Sequence, residues 1–374
     1  MSVAPAPRPA KETTVVFLCD TLEMPPRTGY QIHVTSLARA FERRVPSVAF
    51  AWAGTAESAP WLAALPAARA PRGRLARKRR YVQDAVAWIE AHAAPGSVLW
   101  VRGYSTALLL LPFLSAKREK LGLTALYDAS SFEMLEAGTL AGRARGLMEE
   151  KLWGAFDRVR TLSAPMRDYL VEKGVPAERV LIVPVGAERR EARWRPHAAA
   201  PKLLYVGGAA DYQGLDALMR AMEIVARERP DARLSVVGPE RLAGAPDNVE
   251  FTGRVPHDRV ASFYLEHDLF VLPRPRTPLT DLVVPMKLPE AMSFGMPVLA
   301  TDLGSVRWVL GGEEAQLVAD NEPETLARGV LQALADPARL AAWGAAARER
   351  SERFSWDAIA DEAVRALFGN AVRA

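Results

Sequence analysis

Cysteine is almost missing from this chain of 374 residues, and its scarcity excludes two kinds of stabilisation. Cys19 stands alone, so no internal disulfide is available, and five histidines scattered without paired-ligand spacing leave no structural zinc site. Long apolar runs are missing too. The longest, ALLLLPFL from Ala107 to Leu114, falls far below the ~20 residues needed to cross a bilayer. The opening MSVAPAPRPAKE has no apolar core of signal-peptide length and reads as a disordered tail over residues 1–12. The expectation is a cytoplasmic chain that is neither exported nor embedded.

Charge of one sign is scarce as well: 48 Lys and Arg against 44 Asp and Glu leave +4. Seven basic residues and no acid lie in Arg69–Arg80 (RAPRGRLARKRR), so the remainder of the chain carries −3. A nucleic-acid binder spreads basic residues over a face and interleaves aromatics; one short basic segment excludes that class. Two readings stay open for Arg72, Arg74, Arg77, Lys78, Arg79 and Arg80. They form a solvated loop and helix start, or they touch an anionic membrane surface or a phosphate-bearing substrate, at about 1 kcal/mol per basic residue near anionic lipid.

What is present is alternation. Short runs rich in Val, Leu and Ile alternate with longer stretches of helical periodicity, the pattern of parallel strands buried on both faces by crossover helices. The first half offers strands at Thr14–Cys19, Ser47–Trp52, Val98–Arg102, Thr124–Tyr127, Arg158–Leu162 and Val180–Pro184. A polar, proline-bearing stretch, Glu188–Pro201, interrupts the alternation. The pattern restarts with strands at Lys202–Val206, Arg233–Val237, Val249–Thr252 and Leu269–Leu272, and with helices at 214–229, 286–294, 323–335, 337–352 and 356–368. This predicts two α/β domains, 13–190 and 202–353, a linker at 191–201, and a closing amphipathic segment at 354–374.

In such sheets ligands sit at the carboxyl ends of strands, where helix N-termini present unpaired N–H groups to anions. Three turns carry candidates. Gly29, in PPRTGYQIH, either permits a tight turn or lets the backbone approach a ligand. Gly207 and Gly208, in VGGAADYQG, end a strand and could turn backbone N–H groups toward a pyrophosphate, but the stretch is neither G-x-G-x-x-G nor a P-loop. In LTDLVVPMKLPEAMSFGMPVLAT, Pro285 can open a helix whose Lys287 and Glu290 share one face near the dipole-positive end. That pair suits phosphates and sugar hydroxyls, or else is a solvated ion pair.

The segment PMKLPEAMSFGMPVLATDLGS resembles the signature of the family-four glycosyltransferases. KLLYVGGAADYQGLDALMRAMEIVARERPDARLSVVGPE, NVEFTGRVPHDRVASFYLEHDLFVLP, DRVRTLSAPMRDYLVEKGVPAERVLIVPVGAE, the TGYQIHVTSLARAF helix opening and the closing FSWD are similar to further family blocks, so the resemblance spans nearly the whole chain. It implies the GT-B fold: two Rossmann-like domains around a cleft, a nucleotide-sugar donor held mainly by the C-terminal one, an acceptor by the N-terminal one, and a last helix crossing back to the N-terminal domain. It implies sugar transfer with retention, without a metal or other cofactor, to a saccharide or lipid-linked acceptor such as a polysaccharide or glycolipid intermediate, with the anionic-membrane contact at the inner face of the membrane.

Carried over by residue, the resemblance makes Glu290 the acid that binds the ribose hydroxyls and sets Met286 and Lys287 toward the diphosphate. Gly29 would approach the diphosphate from the other domain, and the backbone around Arg254 and Val255 would hold the base edge. Lys287 would stabilise the leaving diphosphate, and Asp281 would orient the donor sugar or support charge on its ring. The sequence departs from the family at several places. The family's first Glu falls on Leu282, next to Asp281; the Arg and Lys after the glycine turn fall on Gly208 and Gln213, leaving Lys287, Arg274 and Arg276 to supply the charge. Asp-x-His becomes Asp128, Ala129, Ser130, and Pro-Asn-Gly becomes Pro184, Val185, Gly186. Two other classes stay open on these departures: a non-catalytic donor-binding or scaffold protein, and a nucleotide-sugar epimerase or hydrolase.

Overall fold

A computed structural model describes residues 13–24, 26, 28–51, 53, 54, 62–64, 73–129, 140–196, 200–256, 259–312 and 314–369. The tail expected at residues 1–12, Arg72 and Ser130 lie outside the described residues, as does the side chain of Arg74. The chain divides into two compact units. The first takes the chain up to Leu162, Met166–Pro184 and everything from Trp356; the second takes Ser163–Pro165 and Val185–Ser355.

The first unit contains β1 (Val15–Cys19), β2 (Glu23–Met24), α1 (Gly29–Glu42), β3 (Ser47–Ala51), β4 (Ala53–Gly54), β5 (Leu62–Ala64), α2 (Arg74–His92), β6 (Val98–Arg102) and α3 (Tyr104–Lys117). It continues with β7 (Thr124–Asp128), α4 (Leu140–Trp153), β8 (Arg158–Thr161), most of α5 (Ala164–Glu172) and β9 (Val180–Ile182). Seven strands form one sheet in the order β5-β3-β1-β6-β7-β8-β9, every pair parallel. β1 (VVFLC) is buried throughout, as a strand covered by helices on both faces must be.

α1 starts at a capping box that the sequence spells as T-x-x-Q: the Thr28 hydroxyl accepts from Gln31 N, and the Gln31 side chain accepts from Thr28 N. Phe17, Phe41 and Trp100 meet as an aromatic cluster at centroid separations of 5.3–5.9 Å. Trp356, Ile359 and Ala363 of the C-terminal helix Trp356–Phe368 are buried in the same core with Val34, Leu37 and Phe41. Ion pairs from Arg43 to Asp357 (2.7 Å) and from Arg44 to Asp361 (2.8 Å) tie that helix to the end of α1.

The second unit repeats the plan with β10 (Lys202–Val206), α6 (Leu215–Glu228), β11 (Arg233–Val237), β12 (Val249–Gly253), α7 (Val260–Glu266), β13 (Leu269–Leu272), α8 (Pro278–Leu282) and α9 (Lys287–Phe294). It closes with β14 (Val298–Thr301), α10 (Gly304–Leu310), β15 (Gln316–Val318), α11 (Pro323–Leu334) and α12 (Pro337–Ser351). Its sheet is wholly parallel in the order β12-β11-β10-β13-β14-β15. α6 buries Leu215, Leu218, Met219, Met222 and Val225, one helical face. Residues 188–196 and 200–201 of the stretch read as a linker belong with this unit: Trp194 is buried, its backbone N–H donating to Phe294 O at 2.8 Å and its indole to His267 O at 2.6 Å.

In both sheets the strand order reverses at a switch point, between β1 and β6 and between β10 and β13, where the flanking connections leave in opposite directions and open a crevice at the strand ends. The second crevice depends on Gly214, which has φ +72°; a Cβ there would lie 1.7 Å from Pro273 O at the end of β13. Gly214→Ala combines a left-handed backbone with a backbone clash and is expected to destabilise the second unit by more than about 2 kcal/mol. A denaturant midpoint for that unit equal to the wild-type value would refute this.

Candidate functional site

At the second switch point, Gly207 follows β10 and Arg274 lies two residues beyond β13. Gly207 packs under Gly238, whose Cβ would meet Gly207 O at 2.0 Å, and the Tyr205 hydroxyl donates to Gly208 O at 2.5 Å. The turn is thus held rigidly from below while the space beside Gly208 is open. Arg274 is only 4% exposed. Its guanidinium donates to Val283 O at 3.1 Å and faces the Tyr212 ring at 5.4 Å; its Nε has no partner, and it joins no ion pair among the described residues. Burial lowers its pKa from the ordinary arginine value, a sign of a charge held at some cost. A guanidinium has five donors in a fixed fork, so this one is suited to an incoming oxyanion.

Val283 leads through Pro285 to α9. Met286 is the N-cap and Lys287 the first helical residue, so Pro285 stands just ahead of the helix rather than opening it; Pro289 occupies the first turn, where no N–H is required. Lys287 and Glu290 form an ion pair of 2.6 Å, and the Tyr264 hydroxyl approaches the same Glu290 oxygen at 3.5 Å. Tyr264 is buried and stacked on Phe294; burial, helped by Glu290, keeps its hydroxyl protonated far above its usual range. Glu290 is therefore an acid fixed in orientation by a cation and a phenol at the start of a helix.

Asp281 is bound differently. Its Oδ1 accepts from Arg276 at 3.0 Å and from Gly304 N at 2.8 Å, bracing α8 against the start of α10, and Arg276 is matched by the same carboxylate. Arg254 follows β12 at the sheet edge and is exposed, with Val255 half-buried beside it. In the first unit Gly29 is the first residue of α1 and is helical, not a turn.

Of the basic segment, Arg77 and Arg79 are exposed, and Arg80 pairs with Asp84 at 3.0 Å on α2. Lys78 turns inward to an ion pair of 2.6 Å with buried Asp20, which corrects its expected place on an anionic-contact surface. Leu75, beside them, is 57% exposed. No helix among the described residues is long and apolar enough to cross a membrane.

The first switch point holds a cluster that sequence reasoning missed. Strand register places Cys19, Arg102, Asp128 and Arg160 in one row across β1, β6, β7 and β8. Arg160, fully buried, donates to Asp128 at 2.8 Å, to Val183 O at 2.8 Å and faces His33 Nε2 at 3.2 Å. The Trp100 indole donates to Asp128 at 3.0 Å. Burial alone would raise the Asp128 carboxyl, but Arg160 and Arg102 hold it well below the usual carboxylate range. Burial, reinforced by the same two arginines, holds His33 neutral. A charged residue ending each of two apolar strands (VLWVR and TALYD), with an arginine one residue before the end of RVRT, was the available signal. Cys19 is buried there against Tyr30, and burial raises its thiol pKa.

Two wholly parallel α/β units, each with its reversal of strand order, define the class: this is the GT-B fold. Sucrose-phosphate synthase of Thermosynechococcus elongatus has a similar fold, with TM-score 0.72 at 20% identity over 94% of this chain and 98% of that one. Anabaena HepE, solved with UDP and glucose, gives 0.73 at 15% identity over 95% and 99%. The family model for glycosyl transferases group 1 matches residues 200–336, and that for the glycosyl transferase 4-like domain matches residues 28–186. The chain belongs to the group 1 glycosyltransferases. D-inositol 3-phosphate glycosyltransferase of Thermobispora bispora is 30% identical over 247 residues, 58% of this chain and 56% of the relative. The GDP-mannose-dependent monoacylated alpha-(1-6)-phosphatidylinositol monomannoside mannosyltransferase of Corynebacterium glutamicum is 29% identical over 166 residues, 41% and 44%. The matches span about half the length of these curated relatives.

The buried row makes the first unit acid-sensitive. His33 faces Arg160, Arg102 and Asp128 and packs on the Trp356 ring. With the folded His33 pKa lowered, the unfolded chain binds the extra proton, so stability falls as pH drops below about 6.5, by about 1.4 kcal/mol per pH unit from this residue. His33→Gln should flatten the slope between pH 6.5 and 5 in denaturant titrations of the first unit. Asp128→Asn strands two arginines and should cost about 3–5 kcal/mol. A pH profile unchanged by His33→Gln would contradict this account.

Proposed function

We propose that this chain is a glycosyltransferase that moves a sugar from a nucleotide-sugar donor to a saccharide or lipid-linked acceptor, a polysaccharide or glycolipid intermediate, with retention of anomeric configuration. One observation carries the reading: Arg274, a buried guanidinium without a counter-ion among the described residues, faces Tyr212 and lies near Tyr205, whose hydroxyl holds Gly208 O, and it is one loop from the Lys287–Glu290 pair. The family's arginine and lysine after the glycine turn are replaced here by Gly208 and Gln213, and Arg274 supplies the missing charge from the neighbouring strand end. In sugar transfer the demanding moment is the growth of negative charge on the departing nucleoside diphosphate. Cations and N–H dipoles fixed in advance stabilise that state without reorganising. Arg274 and Lys287 take that role, and Glu290, oriented by Lys287 and Tyr264, receives the ribose hydroxyls. Gly207 and Met286 contribute backbone to the diphosphate, and the residues at Arg254 and Val255 the base edge. Asp281 acts by bracing the loop that carries these groups.

The relatives' names place inositol phosphates and phosphatidylinositol mannosides among the acceptors of those proteins, which supports a phosphorylated or lipid-linked acceptor. For the protein's place in the cell the reading is cytoplasmic, with Arg77, Arg79 and the exposed Leu75 as the contact with an anionic membrane face. In flotation the chain is expected to rise with anionic and not with neutral vesicles, and Arg77→Gln with Arg79→Gln to abolish the difference.

The donor site is tested by thermal shift and titration with a panel of nucleoside diphosphates. One of them at a hundredfold excess over Kd should stabilise the protein by about 2.7 kcal/mol. Arg274→Gln and Glu290→Ala should each weaken it at least tenfold, about 1.4 kcal/mol, and Gly208→Arg, entering open space, should tighten it. The absence of a shift with every nucleotide, or equal binding by Arg274→Gln, would overturn the donor reading.

A further inference from the structure

To serve a diphosphate, Arg274 has to be held in place without being neutralised. Its backbone lies between Pro273 and Pro275, which restrict the segment after β13 to an extended path. Its side chain is less tightly tied: the guanidinium donates to Val283 O at 3.1 Å and meets no carboxylate among the described residues. One such bond leaves a long side chain free to turn about it. The other contact is the face of Tyr212, whose ring centroid lies 5.4 Å from the guanidinium carbon, within cation–π range.

Tyr212 is the middle residue of a short 3-10 turn, Asp211–Gln213, between β10 and α6. Gln213 N donates to Ala210 O at 2.8 Å and Gly214 N to Asp211 O at 3.1 Å, which closes the turn. Gly214 then lets the loop lie directly on Pro273, the residue before Arg274, since a Cβ there would stand 1.7 Å from Pro273 O and 3.4 Å from the Pro275 ring. The other end of the loop is fastened by the Tyr205 hydroxyl at Gly208 O. Tyr212 therefore meets Arg274 because two rigid loops are packed together. At 41% exposure the ring adds little to the core.

A ring and a carboxylate differ in what they leave behind. A carboxylate would occupy the N–H fork and cancel the charge, whereas an aromatic face attracts the cation through its quadrupole and leaves the charge in being. The fork stays open at Nε, which has no partner among the described residues. We infer that Tyr212 is a positioning residue for the donor site: its ring holds the Arg274 guanidinium while keeping its charge and its free N–H edge for the diphosphate. The inference rests on the donor reading and names the residue that makes Arg274 competent in it.

The test uses the full chain and the nucleoside diphosphate that stabilises it most. Tyr212→Leu should raise the Kd about fivefold or more, and Tyr212→Phe, which keeps the ring, should recover most of that loss. On Arg274→Gln the same Tyr212→Leu change should add less than about twofold, because the ring then has no cation to hold. Unfolding midpoints of the Tyr212 variants should stay near the wild-type value. Without nucleotide, the Arg274 Nε–H resonance in nitrogen-edited NMR, assigned by its loss in Arg274→Gln, should carry a ring-current shift in wild type and Tyr212→Phe that Tyr212→Leu removes. If no nucleotide binds, or Arg274→Gln binds it as wild type does, the donor reading fails, and the resonance alone decides whether the ring holds the guanidinium. An unchanged resonance in Tyr212→Leu, an unchanged Kd there, or a loss in Tyr212→Phe equal to that in Tyr212→Leu would overturn the positioning role. So would a Tyr212→Leu loss that persists in full on Arg274→Gln, since the ring would then act on the nucleotide itself.

Discussion

A parallel strand covered by helices on both faces can place polar groups only at its ends, and the central strands of both main sheets are of this kind. All chemistry is thereby pushed to the carboxyl edges, and within each edge to the reversal of strand order, where the connections part and leave room. Arg102 and Arg274 occupy equivalent places under this constraint, at the ends of β6 and β13, each the strand that follows the reversal. The apolar body of each strand fixes the edge, and the edge fixes where charge can stand.

Three arginines at strand ends, Arg160 and Arg274 buried and Arg102 half-buried, show how partners divide structural from ligand-binding charge. Arg160 has a carboxylate, a carbonyl and an imidazole, and serves the fold by joining β8 to β7 and to the segment after β9. Arg102 shares the Asp128 carboxylate and lies over the Tyr30 ring, whereas Arg274 has one carbonyl and an aromatic face. Burial of a guanidinium is costly, and Arg274 is the one of the three that no carboxylate among the described residues compensates, which leaves it available to a ligand. Asp281 and Glu290 divide in the same way. The first is held by a backbone N–H and serves as a brace, while the second is held only by side chains at a helix start.

The strands were legible because their apolar content is high, and the predicted edges of β1, β6, β10, β11 and β13 differ from the observed ones by at most one residue. β14 and β15 were not read out: VLAT is four residues long and follows a helix ending in FGMP, and QLV is shorter still, so neither carries a period to detect. The start of α9 was displaced because Pro285 looked like a first helical residue, whereas the chain accommodates Pro289 in the first turn. Lys78 was grouped with its basic neighbours since nothing local distinguishes it, and its partner Asp20 lies far away in sequence on the other side of the sheet reversal.

Local sequence by itself determined two doubly wound units and the loops where ligands belong, because burial of parallel strands and the turn residues after them are written in consecutive positions. The pairing of charges was decided only by tertiary structure. Arg102, Asp128 and Arg160 are separated along the chain and become a row through strand register, which no local pattern encodes. Whether an arginine in such a row ends as a tie depends on that register, since a charge at a strand end is answered by whichever side chain the next strand brings level with it.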